Sequence, residues 1–243
     1  MTGELFMILF AFMLAGLVQG VMGFGFAIAT TLLLVSTLDF TLLVFLNLSM
    51  SVVTSLIAML SAKNIAAIDK KTLVKLMVSA TAGLVIGIAI VNYVDAVILK
   101  KVTLVVILIA SVLSLTKNKR FFAHSYMCWI GGFFSGILTP STGINGPLVA
   151  LHLNAAFTNK QTIRTTMLAY LFLIMLFGVI SMTLKTELPA QTWSMMGKVI
   201  IPSVVGYAVG LLSFRLLSDL IFRRTVTAFL ICSSLLSLIY LIV

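Results

Sequence analysis

The groups in this chain best placed to do chemistry are backbone amides. Asn145-Gly146-Pro147 has the grammar of a helix start: Asn is a favoured N-cap, and Pro suits the first helical position, where its missing N–H costs nothing. A half-helix is therefore expected from about Pro147 through Leu151 and His152. The first turn of such a helix presents unpaired N–H groups and a partial positive charge, a site for an anion. Gly23-Phe24-Gly25-Phe26 offers the parallel feature earlier in the chain, where absent side chains let a ligand approach the backbone. Two such starts meeting near a membrane midplane would make an anion cradle. Each helix terminus contributes about 0.3–1 kcal/mol, up to ~2 when partly buried. A bare ion taken from water into a dry interior loses far more. Polar donors or water must therefore assist, and Gln19, Asn47, Ser49, Ser51, Ser141, Thr142 and His152 are the candidates.

The elements that must hold these groups are membrane helices. The 243 residues are 61% hydrophobic and 9% charged, with a mean hydropathy of +1.24; a soluble globule is about half apolar and a quarter charged. Apolar runs fall at residues 5–36, 41–62, 73–92, 97–115, 121–157, 165–184, 197–213 and 223–243, most of them near the ~20 residues that a helix needs to cross a bilayer. The first and fifth runs are too long for one crossing, since residues 5–36 would make about 48 Å of helix at ~1.5 Å per residue. Each carries a glycine-rich break, Gly16 through Gly25 in one and Gly132 through Pro147 in the other. Broken backbone at membrane depth is tolerated only where protein or a watery cavity covers it, and a duplicated break points to a transporter's binding site.

The basic residues choose between crossing and folding back. If both long runs cross, the two faces receive nine and seven of the sixteen Lys and Arg, which is almost no bias. If both are re-entrant hairpins, one face receives twelve, Arg164 among them, and the other only Lys100, Lys101, Lys185 and Lys198. The second count obeys the positive-inside rule. The expected fold is therefore an all-α integral membrane protein of two inverted repeats, each a re-entrant or broken helical hairpin plus three transmembrane helices. Both termini then face the periplasm or cell exterior, which fits the absence of Lys and Arg before Lys63. The same absence removes the basic n-region of a signal peptide, so the first apolar run is expected to remain in the mature protein. Residues 63–75 read as a short cytoplasmic turn or interfacial helix.

Further landmarks support duplication. Gly83-x-x-x-Gly87 is echoed by Gly206-x-x-x-Gly210, and Lys100-Lys101 by Arg223-Arg224, both 123 residues on. The expected units are 1–120 and 121–243, divided at the basic stretch 116–120. Gly16 with Gly20, and Gly83 with Gly87, have the spacing of close helix packing. The candidate substrate-binding set is Gln19, Gly20, Gly23, Gly25, Asn47, Ser51, Ser141, Thr142, Gly143, Asn145, Gly146, Pro147 and His152. Asn47 and the serines after it would serve equally as hydrogen-bonding residues between helices, and His152 as a structural imidazole.

Several classes fall away. Glu4, Asp39, Asp69, Asp95, Glu187 and Asp219 all map to segment ends or loops, so no carboxylate is committed to mid-membrane, where cation carriers and proton pumps use them. An anion is the better substrate. The net charge of +10 is scattered between spans as an orientation signal rather than gathered into a nucleic-acid surface. Cys128 and Cys232 lack metal or disulfide spacing, no cofactor is implied, and there is no H-E-x-x-H, G-x-S-x-G or carboxylate pair to suggest an enzyme.

The paired glycine-rich segments, the polar stretch from Asn47 to Ser55, the turn near residues 63–69 and the layout of two similar halves resemble the sulfite exporter TauE/SafE family. The resemblance covers essentially the whole chain. Phe26 and Asn145 interrupt the denser glycine runs of that family, and Thr139-Pro140-Ser141 is an apparent insertion after Gly136. What it implies is a secondary carrier for sulfite, sulfonates or related organosulfur anions; the expected setting is multi-pass in the cell (inner) membrane, with the lipid bilayer and a small anion as partners, and substrate protonation, His152 or simple uniport are the open alternatives for coupling. An anion channel, or an assembly subunit without a carrier cycle, is the alternative.

Overall fold

A computed structural model describes residues 2–60, 65–115, 119–185, 188 and 190–242. Lys63, the first three residues of the basic stretch (116–118) and Glu187 lie outside the described residues. The described elements are all helical: α1 (Thr2–Met22), α2 (Phe26–Leu34), α3 (Phe40–Met59), α4 (Lys70–Tyr93), α5 (Ala96–Leu115), α6 (Lys119–Ala123), α7 (Ser125–Thr142), α8 (Gly146–Ala156), α9 (Lys160–Lys185), α10 (Thr192–Leu216) and α11 (Asp219–Ile242). Among the described residues, five helices are long and apolar enough to cross a bilayer: α1, α3, α4, α9 and α10. Starts are set by side-chain caps, with Asp39 accepting from the Leu42 amide at 3.0 Å, Asp69 from Thr72 at 2.8 Å and Asn159 from Thr162 at 3.0 Å. The described acidic residues thus lie at or near helix starts, Glu4 and Asp219 in first turns and Asp95 on the Val97 amide.

Burial sorts the helices. In α3, 72% of the apolar span is buried, against 33% in α4 and α10, so α3 sits centrally and the others face outward. Phe6, Val85, Ile201 and Leu212 are among the exposed apolar side chains that α1, α4 and α10 present to lipid.

Both long apolar runs fold back on themselves as hairpins. In the first, the Phe26 ring packs edge-on against Phe12 at 5.8 Å, although the two are separated by most of the second half of α1. In the second, a Cβ on Gly131 would lie 3.5 Å from the Leu148 carbonyl oxygen, and the Ser135 hydroxyl donates to the Asn145 carbonyl at 2.7 Å. The outgoing limbs have 21 and 18 residues, the returning limbs 9 and 11. Each turn therefore comes late. The Gly23 turn rests on Arg164, one turn into α9, and Gly143 rests on Val44, one turn into α3.

Glycines fix the partners. Gly16 and Gly20 of α1 meet Gly206 and Gly210 of α10 backbone to backbone, while Gly132 and Gly136 of α7 meet the residues around Ser79 and Gly83 of α4. In both pairs the contact positions advance together along the two helices, so α1 runs parallel to α10 and α7 parallel to α4. The ends of α10 and the starts of α4, α9 and α11 share one end of the bundle: the Asp69 amide donates to Thr166, and Lys160 contacts the Leu217 carbonyl and Asp219. The two hairpins consequently enter from opposite ends and overlap in the middle.

Candidate functional site

The overlap brings the two breaks together. In the first, the Gly23 amide donates to the Gln19 carbonyl at 2.7 Å, and Gly23 and Gly25 adopt φ of 83° and 95° before α2 begins. In the second, Gly143 closes α7 through its amide on the Thr139 carbonyl at 3.1 Å, with φ of 68°. The Ile144 amide then donates to the Thr142 hydroxyl at 3.1 Å, and Asn145 leads into Gly146 and Pro147. A Cβ on Gly146 would stand 3.1 Å from the Phe24 side chain.

Asn145 occupies the N-cap position of α8, as its residue type suggested, but its side chain does not cap. Instead its Nδ2 donates to the Thr139 hydroxyl at 3.0 Å, and its carbonyl accepts from Ser135, which also accepts from the Tyr170 hydroxyl at 2.6 Å. The second break is thereby fastened to α7 and α9. Gly25, the N-cap of α2, has no side chain to cap with. Both helix starts therefore leave first-turn N–H groups without the usual side-chain partner.

Between the breaks is a cavity of about 10 Å³, lined by Gln19, Gly25, Ser51, Gly143, Asn145, Gly146 and Pro147 from the expected set, and by Phe24, Phe26, Leu171 and Met175 among apolar neighbours. That is room for about one water molecule, so this conformation is closed around its breaks. Two of the cavity's lining residues, Gln19 and Ser51, carry a buried side-chain oxygen without a partner. Seven buried side-chain atoms of the described residues lack a hydrogen-bond partner, and six belong to Gln19, Thr31, Asn47, Ser49, Ser51 and Arg164, on the helices that flank the breaks. Folded proteins leave few buried polar groups unpaired, and the Gln19 and Ser51 oxygens are the two of these that belong to residues lining the cavity.

The remaining expected residues are placed nearby or apart. Asn47 is fully buried beside Gly143, its Oδ1 accepting from Thr30 at 2.5 Å. Thr142 shapes the second turn. Gly20 packs on α10, and Gly23 packs on Arg164. Ser141 faces a second cavity of about 220 Å³, with Phe40, Thr41, Val44 and Met182, at the end of the bundle away from Lys160. Val44 and the Gly143 turn divide it from the breaks.

His152 is not brought to the breaks. Six positions into α8 is about 9 Å from its start, and its Nδ1 is 2.8 Å from the Phe122 carbonyl. It lines a separate apolar hollow of about 510 Å³ with residues of α5, α6 and α7.

One buried charged residue beside the first break escaped the sequence reading. Arg164, counted there as a charge on one membrane face, is completely buried in α9. Its Nε donates to the Gly20 carbonyl at 2.9 Å and its Nη2 to the Tyr207 hydroxyl at 3.0 Å, and its guanidinium lies 4.7 Å from the Phe214 ring centroid. The available signal was spacing: Lys160 opens the helix, and a residue four positions later lies one turn inside it.

Residues 8–237 match the sequence profile described as Sulfite exporter TauE/SafE, and the chain belongs to that family. No curated protein and no solved structure matches it. Membership, together with the apolar helices, makes the chain a multi-pass membrane transporter with a small sulfur-containing anion as its substrate class.

Proposed function

We propose that this member of the sulfite exporter TauE/SafE family is a secondary carrier of sulfite or organosulfonate anions, working by alternating access around the two breaks. The observation that carries the reading is the pair of helix starts, both without side-chain caps, that face a water-sized cavity. Gln19, Gly25, Ser51, Asn145 and Gly146 would form the site, with first-turn amides as the principal donors. A sulfite ion exceeds the cavity, so the hairpins must part before it enters, and the closed geometry reads as an occluded state.

The proposed units are 1–120 and 121–243, related as inverted repeats. Supporting this, α1 pairs with α10 as α7 pairs with α4, each hairpin leaning on a helix of the other half. A rocking motion of one half against the other would open the breaks to alternate ends. The termini would face the periplasm or exterior of an inner membrane, because the end around Lys160 collects most of the basic residues. Coupling to protons would use a group other than His152, which stands apart from the breaks.

The test is flux in proteoliposomes with sulfite, sulfate, sulfoacetate, taurine and acetate, with and without a pH gradient. Saturable flux with counterflow of a sulfur anion is expected. Flux that neither saturates nor shows counterflow would indicate a channel, and absence of all anion flux would remove the transport reading. Ser51→Ala gives a finer check. The Ser51 hydroxyl is buried without a partner, a state that costs about 1–3 kcal/mol, so alanine should hold or raise the melting temperature. It should at the same time raise the sulfite KM roughly threefold to tenfold, the value of one lost neutral-donor hydrogen bond. A lower melting temperature with unchanged KM would make Ser51 a structural residue.

A further inference from the structure

Arg164 is a fully buried charged group whose hydrogen bonds, to the Gly20 carbonyl and the Tyr207 hydroxyl, supply no counter-charge. It lies in the second turn of a spanning helix with no exposed surface. Of its three side-chain nitrogens, Nε has a carbonyl, Nη2 has a phenol, and Nη1 has nothing. Among the described residues no carboxylate meets it. The groups packed around it are the Phe214 and Tyr207 rings; of the nearby cations, Arg215 repels its charge and Lys160 is turned onto the Phe214 and Leu217 carbonyls. A lone buried cation is unfavourable unless something supplies the missing negative charge.

Its position is as telling as its burial. The Gly23 turn of the first break sits directly on it, a Cβ there falling 3.0 Å from the Arg164 Cγ. Counting from the matching caps Asp39 and Asn159, Arg164 occupies in α9 the place that Val44 occupies in α3. Val44 lines the open 220 Å³ cavity at the other end of the bundle, together with Val91, Val94 and Leu99. At the 123-residue spacing of the glycine pairs, those three correspond to Phe214, Leu217 and Phe222. At the Lys160 end, the side chains of Arg164 and Lys160 fill against these residues the space that is open at the other end.

Resting on the carrier reading above, we propose that Arg164 is the anion-recognising cation of the transport site. When the bundle opens toward the Lys160 end, its guanidinium leaves the Gly20 carbonyl and the Tyr207 hydroxyl and takes the substrate as its counter-charge. A guanidinium is a planar fork of donors that pairs two oxygens at once. The site thus selects oxoanions with at least two free oxygens, such as sulfite and sulfonates, over spherical halides. Arg164 also competes for its own site: the substrate must displace the internal partners, which makes the same residue the closure at that end.

The experiment is sulfite flux in proteoliposomes with wild type, Arg164→Gln, Arg164→Lys and Tyr207→Phe, each checked for monodispersity. Arg164→Gln keeps donors for the Gly20 carbonyl but loses the charge; its sulfite kcat/KM should fall at least about tenfold, the equivalent of one charge-assisted hydrogen bond. Arg164→Lys should retain flux but lose resistance to chloride competition. Tyr207→Phe removes an internal competitor and should lower the sulfite KM, a change that a merely structural arginine would not produce. A folded Arg164→Gln protein with unchanged KM would overturn the inference while leaving the carrier reading intact. If Arg164→Gln does not fold, an unchanged KM in Tyr207→Phe overturns it instead. Wild type without saturable flux of sulfite, sulfoacetate or taurine would remove the carrier reading, and this inference with it; if only a sulfonate is carried, the same variants are read with that sulfonate.

Discussion

Leucine in place of Gly16 is expected to leave little folded protein. A Cβ at Gly16 would overlap the Ser203 carbonyl of α10 and stand 2.9 Å from the Tyr207 amide nitrogen. Both obstacles are backbone, so no rotamer change relieves them, and α1 must separate from α10 along its whole length. Overpacking a core typically costs about 1–3 kcal/mol; with rigid backbone on both sides the cost should reach or pass the upper end. Against a total stability of about 5–15 kcal/mol, and with the first hairpin losing its support, the expected result is a large fall in melting temperature and in monodisperse yield from detergent. The control lies on the partner helix. Gly197 of α10 has nothing within 4 Å of its would-be Cβ, so Gly197→Leu should cause no loss. Equal melting of Gly16→Leu and Gly197→Leu would contradict this account of how the hairpin is held.

The second large effect is expected at Gly143, where conformation rather than space demands glycine. Its φ is 68°, and a Cβ there would meet only ordinary contacts, Asn47 and Val44 at 3.6 Å. Left-handed backbone costs an L-residue roughly 1–2 kcal/mol, least for Asn and most for a β-branched side chain. Stability and sulfite flux should therefore decline in the order Gly, Asn, Ala, Val. Gly143→Asn should stay near wild type, and Gly143→Val should lose most transport because the turn that aims α8 at the cavity no longer closes. Melting temperatures and initial flux rates of the series would check it. Asn faring as badly as Val would mean that space, and with it a different local geometry, decides.

The breaks were legible in the sequence because their chemistry is local. Gly143 and Pro147 bracket a helix end and a helix start, and the glycine cluster at 23–25 does the same without a proline. The lateness of the two turns was not legible, since a glycine cluster says that a helix stops but not what its tip will touch. The tip positions follow from Gly23 resting on Arg164 and Gly143 on Val44, contacts between residues far apart in the chain.

Composition and the glycine-rich interruptions by themselves determined that this protein is a multi-pass membrane protein and where two of its apolar runs break; they also set the expectation of an interior free of carboxylates, and the described acidic residues do lie at or near helix starts. These follow from transfer free energies and backbone hydrogen bonding, which each segment obeys on its own. Only the tertiary structure decided which polar groups share the cavity. It drew Ser51 and Gln19 to the breaks, sent His152 9 Å or so along α8 to a different hollow, and turned Arg164 from a surface charge into a buried one. The physical reason is that a side chain's depth depends on where its helix starts and what packs beside it. For Arg164, a start at Lys160 and the apposition of Gly20, Tyr207 and Phe214 moved a cation one helical turn inward, away from water.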